Sequence, residues 1–236
     1  MIKAIYVVTT HPALPIEEAR QHWFEVHGRL GASSPGLIRY IQHHTLFAAY
    51  NGTPRPTHDG ASIVWFEDIG ALLRGEASPP WQAMARDGRQ GVYGGRQLFL
   101  YPMPFTIAEE SVIVEGQTSP LMVKGIWLAA KPDDVSFDEF HDHWLNVHGP
   151  LGARLPGIRR YVQNHTVKDA YQQPRVTHDG WSEAWFDDLD AFKRAVSSPE
   201  WAALAADGRS GLPGGRPLFD YAKMCIVVGR ERQIVP

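Results

Sequence analysis

A chain of 236 residues, 44% hydrophobic and 21% charged, carries enough apolar material for a folded core. A net charge of −3 without clustered Lys or Arg excludes the electrostatic footprint of a nucleic-acid binder. One cysteine, Cys225, excludes an intrachain disulfide framework, and no apolar run reaches membrane-spanning length, so a cytoplasmic protein is expected.

The apolar, β-branched run Ile2 to Thr9 reads as a strand. Pro15 to Leu30 then places Ile16, Ala19, Trp23 and Val26/His27 at helical spacing. A Pro35-Gly36 turn introduces a second strand, Leu37 to His44, and Ala61 to Glu67 forms a third. Asp68 caps the next helix, which breaks at Pro79, where Ser78 caps a short piece from Trp81 to Arg86. Gln97 to Tyr101 is expected as the fourth strand.

The whole series then returns. HWFEVHGRLGASSPGLIRYIQHHT from His22 is matched by HWLNVHGPLGARLPGIRRYVQNHT from His143. THDG at Thr57 returns at Thr177, WFED at Trp65 as WFDD at Trp185, DGR at Asp87 at Asp207, and GGR at Gly94 at Gly214. Ser136 with Glu139 forms a capping box in the second copy, and Asp188 matches the cap Asp68. The expected organisation is one repeat over 1–108, a connector over 109–120 and a second repeat over 121–236. The order β-α-β-β-α-β is ferredoxin-like. The fold class is therefore α+β: two ferredoxin-like βαββαβ repeats packed sheet to sheet as a dimeric α+β barrel within one chain.

Eight of the eleven histidines recur as pairs: His22/His143, His27/His148, His44/His165 and His58/His178. Five residues turn an α-helix by about 500°, so His22 and His27 should diverge by about 140°. This places His22 and His143 on the outer face and His27 near Trp23 on the buried one. On the second strand Tyr40, Gln42 and His44 share a face, and Tyr161, Gln163 and His165 repeat it. A neutral imidazole beside a phenol and an amide suits proton transfer to and from an enolate or phenolate. Each residue has a plainer reading: His27 and His148 as helix-end donors, Tyr40 and Tyr161 as half-buried strand residues, His44 and His165 as structural, His58 and His178 as turn supports. Trp23 and Trp144 are either core or ligand-binding. Glu183, in place of Ile63, should point away from the His/Tyr face.

The series HW…HG…PG…Y followed by HDG…WF resembles the EthD family of the dimeric α+β barrel superfamily, over nearly the whole of both copies. Most members are single units that dimerise, so the resemblance implies a fused pseudo-dimer holding small apolar or aromatic ligands between the sheet and helices of each unit. The muconolactone methylisomerase pattern in that superfamily has a helical histidine and a strand tyrosine in its cavity, matching His27/His148 and Tyr40/Tyr161. Its loop histidine is comparable to His58/His178. Its cavity cysteine is replaced here by Val64 and Ala184, which argues against the same mechanism.

The expectation is a cofactor-independent lyase, isomerase or cyclase of small aromatic or polyketide-like molecules. His27, Tyr40, His44, His58, His148, Tyr161, His165 and His178 are the catalytic candidates; Gln42, Gln163, Trp23 and Trp144 are the substrate-binding ones. The alternatives are a cofactor-free oxygenase of phenols and a non-catalytic carrier of hydrophobic metabolites. No cofactor or metal is expected, and the chain would act as a monomeric pseudo-dimer or a homodimer.

Overall fold

The computed structural model describes residues 1–51, 55–90 and 95–236; Gly94 of the first GGR lies outside them. The first repeat runs β1 (Ile2–Val8), α1 (Ile16–His22), a π-helical turn (Trp23–His27), α2 (Gly28–Gly31), β2 (Arg39–Thr45), β3 (Gly60–Phe66), α3 (Ile69–Ala77), α4 (Pro79–Gln90) and β4 (Phe105–Val114). The second runs β5 (Val123–Ala129), α5 (Phe137–His143), a π-helical turn (Trp144–His148), α6 (Gly149–Gly152), β6 (Ile158–Thr166), β7 (Gly180–Phe186), α7 (Leu189–Val196), α8 (Pro199–Ser210) and β8 (Cys225–Val235). The caps hold as read: Asp68 accepts from the Ala71 N–H and Asp188 from the Ala191 N–H, both at 2.7 Å, and Ser136 accepts from the Glu139 N–H at 3.2 Å. Each satisfies an otherwise orphaned donor, worth about 1 kcal/mol.

Two expectations shift. Gln97 to Tyr101 is not a strand; it contributes only an isolated bridge, Phe99 to Thr10. Leu98 and Phe99 are apolar because they pack on Trp23, Val8 and Leu14, not because they enter the sheet. Pro102 and Pro104 separate them from the true fourth strand, β4, since proline cannot supply a ladder donor. The connector expected over 109–120 is also strand as far as Val114, paired with β6 through Ala108↔Thr166 to Val112↔Val162. Its half-exposed polar face made it read as a linker.

Hydrogen bonds order the strands β1-β3-β2-β8-β5-β7-β6-β4 as a closed antiparallel barrel, the dimeric α+β barrel arrangement in a single chain. The compact units do not follow the repeat boundary. Unit 1 comprises Met1–Ile107, Asp169–Val176 and Glu231–Pro236; unit 2 comprises Ala108–Lys168 and Thr177–Arg230. Each repeat's last strand is divided between the two units, β4 after Ile107 and β8 after Arg230. Among the described residues, no helix is long and apolar enough to cross a membrane.

In unit 1 Trp23 is fully buried among Val8, Leu14, Ala19, Leu98 and Phe99. In unit 2 Trp144 occupies the same position among Ala129, Val135, Phe140, Leu212, Leu218 and Phe219. Truncating an aromatic side chain so placed costs about 3–5 kcal/mol.

Candidate functional site

The site is built around the π-helical turn. In unit 2 the Trp144 carbonyl accepts the Gly149 N–H, the i→i+5 bond of a π turn, and also the Gln163 Nε2–H at 2.9 Å. In unit 1 the Trp23 carbonyl accepts from Gly28 N–H and, at 2.8 Å, from Gln42 Nε2–H. A strand amide thus reaches into each helix. The glycine after the histidine makes room for it: a Cβ on Gly28 would lie 2.5 Å from Gln42 Nε2, and one on Gly149 would lie 3.1 Å from Gln163 Nε2.

The wider turn overturns the expectation for His22 and His143. Residues five apart return to one face in an i→i+5 turn, whereas an α-helix would separate them. His22 is buried, and its Nε2 lies 2.9 Å from Asp87 Oδ1, while His27 Nδ1 lies 2.8 Å from Asp87 Oδ2. Unit 2 repeats this: His143 Nε2 lies 2.9 Å from Asp207 Oδ1, and His148 Nδ1 lies 2.8 Å from Asp207 Oδ2. Asp87 and Asp207, on α4 and α8, are the functional candidates that sequence reasoning missed. The signal was present in the DGR returning beside two histidines spaced by five in both copies.

Burial works to raise the Asp207 carboxyl, but the hydrogen bonds from His148 and His143 outweigh it and hold the group below its ordinary value. Burial lowers His148, against the opposing pull of its hydrogen bond to Asp207. Asp87 and His27 shift in the same directions for the same reasons. An ionised aspartate only accepts, so Nδ1 of His148 carries the hydrogen and Nε2 keeps its lone pair. Among the described residues, Nε2 of His148 has no hydrogen-bond partner.

His148 lines a cavity of about 250 Å³ in unit 2. Tyr161 and Ser182 line it from the sheet, with Trp127, Trp144, Trp201 and Phe219 supplying aromatic walls. Tyr161 accepts from Gln163 Nε2–H at 3.1 Å and hydrogen-bonds Ser182; burial raises its hydroxyl above the ordinary phenol value, so it stays a donor. Tyr40 in unit 1 pairs with Ser62 at 3.1 Å and Gln42 at 3.2 Å, and is likewise raised by burial.

Gln163, His165 and His178 do not line the cavity. His165 Nε2 lies 3.1 Å from Gln163 Oε1, as His44 Nε2 lies 3.0 Å from Gln42 Oε1 in unit 1. Burial drives His165 down to about 3 and His44 to about 2, so both are neutral donors that fix the amide's orientation. His44 also stacks on Trp23 at 4.2 Å. His58 Nδ1 pairs with Thr9 Oγ1 at 3.0 Å, and His178 Nε2 with the Lys223 carbonyl at 2.8 Å. Their neighbours Asp59 and Asp179 receive the backbone N–H of Thr10 at 2.6 Å and of Lys131 at 2.8 Å, tying the start of β3 and β7 to the segments after β1 and β5. Glu183 meets Lys124 at 2.7 Å within unit 2 and accepts from Asn164 and Trp181, away from the Tyr161 face.

A family model for the EthD domain matches residues 11–90 and 132–210, and the chain belongs to that family. Among solved structures it is similar to an anthrone oxidase-like protein (11% identity, 98% of this chain and 92% of that one, TM-score 0.59). It is also similar to a Fusobacterium nucleatum protein provisionally described as a monooxygenase (9% identity, 99% and 94%, TM-score 0.56). An EthD-family protein from Bacillus halodurans is 23% identical over 47% of this chain and 99% of its own, with a TM-score of 0.37. No curated protein sequence matches the chain. At these identities the structural likeness defines the fold alone.

Proposed function

We propose that unit 2 is the active half of a cofactor-independent acid–base enzyme that acts on small aromatic or polyketide-like molecules, as a lyase, isomerase or cyclase. The observation that carries this reading is His148: one ring nitrogen is anchored to Asp207 at 2.8 Å, and the ring borders an apolar cavity. An aspartate-anchored, neutral imidazole is a general base whose rotation and tautomer are set before substrate arrives. It would remove a proton from a carbon next to a carbonyl, or from a phenolic oxygen. The Tyr161 hydroxyl, fed a hydrogen bond by Gln163, would donate to the oxygen on which charge develops. His148 would then return the proton at a different atom, which moves a double bond, closes a ring or releases a leaving group.

The test is deuterium exchange. Aryl ketones incubated in deuterated water with the protein should exchange the hydrogens next to the carbonyl, followed by NMR, and His148→Ala should stop it. No exchange with any ketone, or equal exchange by the variant, would overturn the reading. Repeating the assay with and without oxygen separates the second class: substrate loss coupled to oxygen uptake would reassign the pocket to a cofactor-free oxygenase.

A further inference from the structure

The DGR motif on α8 has one residue that the acid–base reading leaves unused. Asp207 holds the two histidines. Gly208 lets the segment after α8 lie close: a Cβ there would sit 2.5 Å from Tyr221 Oη and 3.2 Å from the Phe219 ring. Arg209, the next residue, lines the cavity from an exposed position, and among the described residues it makes no ion pair. Tyr221, 46% exposed, lines the same cavity. In unit 1 the matching Arg89 guanidinium instead lies over the Tyr101 ring, 5.4 Å from its centroid. Of the cavity's lining, Arg209 is the sole permanently charged side chain, and with Tyr221 and Ile226 it is one of the exposed residues of a mostly apolar chamber.

We propose that this cavity takes a small planar aromatic carboxylate, its ring between the tryptophans and its carboxylate at the mouth on Arg209 and the Tyr221 hydroxyl. The guanidinium only donates and is permanently charged, and the hydroxyl can donate beside it, which suits an anionic oxygen pair and repels a cation. A cavity of about 250 Å³ falls below the roughly 300–1,000 Å³ of sites for drug-sized ligands, so the ligand has one or two rings. Trp127, Trp144 and Trp201 supply the flat apolar surface that such rings need. The polar groups then divide by position: Arg209 and Tyr221 orient the molecule from the mouth, and His148 and Tyr161 meet its reacting end. The proposal rests on the cavity being the ligand site of the acid–base reading.

The test compares 2-naphthoate with its neutral counterpart 2-naphthamide, binding to the full chain followed by quenching of tryptophan fluorescence. The expected result is that 2-naphthoate binds about tenfold tighter or more, that the preference shrinks with added salt, and that Arg209→Gln abolishes it while changing 2-naphthamide affinity less than about twofold. Tyr221→Phe should remove a smaller, few-fold part. Equal binding of the two probes by the natural chain, or a preference that survives Arg209→Gln, overturns the carboxylate proposal and leaves the acid–base reading standing. Failure of both probes to bind overturns the cavity as an aromatic site, and both readings with it.

Discussion

Units 1 and 2 keep the same polar skeleton on different walls. Each has two histidines on one aspartate, a glutamine bonded into a π turn, and a tyrosine held by that glutamine. The surroundings diverge. Unit 2 lines its cavity with Ala184, Leu204 and Trp127, whose counterparts in unit 1 are Val64, Met84 and Tyr6. Met84 packs on Gly31, where a Cβ would lie 2.5 Å from its sulfur. Tyr6 donates to Glu76, which also accepts from Arg175 at 2.5 Å, and Arg175 lies over the Phe105 ring. Unit 1 thus turns the matching wall into a partly exposed ion-pair network, where unit 2 sets Trp127 at a tilt against Trp201, 5.9 Å between ring centroids. The histidine–aspartate–tyrosine geometry is kept twice, while the apolar walls around it differ.

The sharpest way to break the comparison is to remove the base from each unit in turn. His148→Ala should lower turnover by about 10²–10⁴-fold, the usual worth of a positioned general base, and His27→Ala should lower it far less on the same substrate. Equal losses would mean that the walls do not decide activity. Next in size is the buried pair of unit 2. Glu183→Ile, which installs the residue of unit 1, should destabilise the chain by about 3–5 kcal/mol in urea unfolding, because it takes the carboxylate from a fully buried Lys124. Adding Lys124→Met should restore most of the loss.

Acid should reveal a third difference. His141 and His165 pair through Nδ1 at 2.8 Å, where unit 1 has Arg20 donating to His44. Burial holds His141 near 4 and His165 near 3, below the ordinary 6.5. Below that ordinary value the unfolded chain binds protons the folded chain refuses, so stability is full above about pH 6.5 and falls as pH drops towards 4. Each histidine contributes up to about 1.4 kcal/mol per pH unit in that window. His141→Gln should flatten the slope by one such share; a slope that does not change would remove the pair from the account. The smallest effect is expected from Gly149→Ala, whose Cβ would press on Gln163 at 3.1 Å. A loss of about 1 kcal/mol and a few-fold drop in turnover should appear, with Gly28→Ala, at 2.5 Å from Gln42, costing more.

Much of this was readable from the chain. Repetition of the HW…HG and HDG strings, with strand and helix periodicities and the caps Asp68, Ser136 and Asp188, determined the element order and the α+β class. Local chemistry writes those signals: a cap needs one oxygen three residues from an N–H, and a strand needs alternation. The face carrying Tyr161 and Gln163 followed from period two. What local pattern could not decide was the helix at His22 and His143. An ideal α-helix parts residues five apart, and only the contact from Gln163 on a distant strand widens that turn so that His143 and His148 share Asp207, 59 residues beyond His148. Leu98 and Phe99 misled in the same way, because an apolar pair reads alike in a strand and in a loop pressed on Trp23. Side-chain type and spacing are properties of the chain, but which carboxylate meets which imidazole depends on contacts between segments far apart in sequence, and these exist only once the chain has folded.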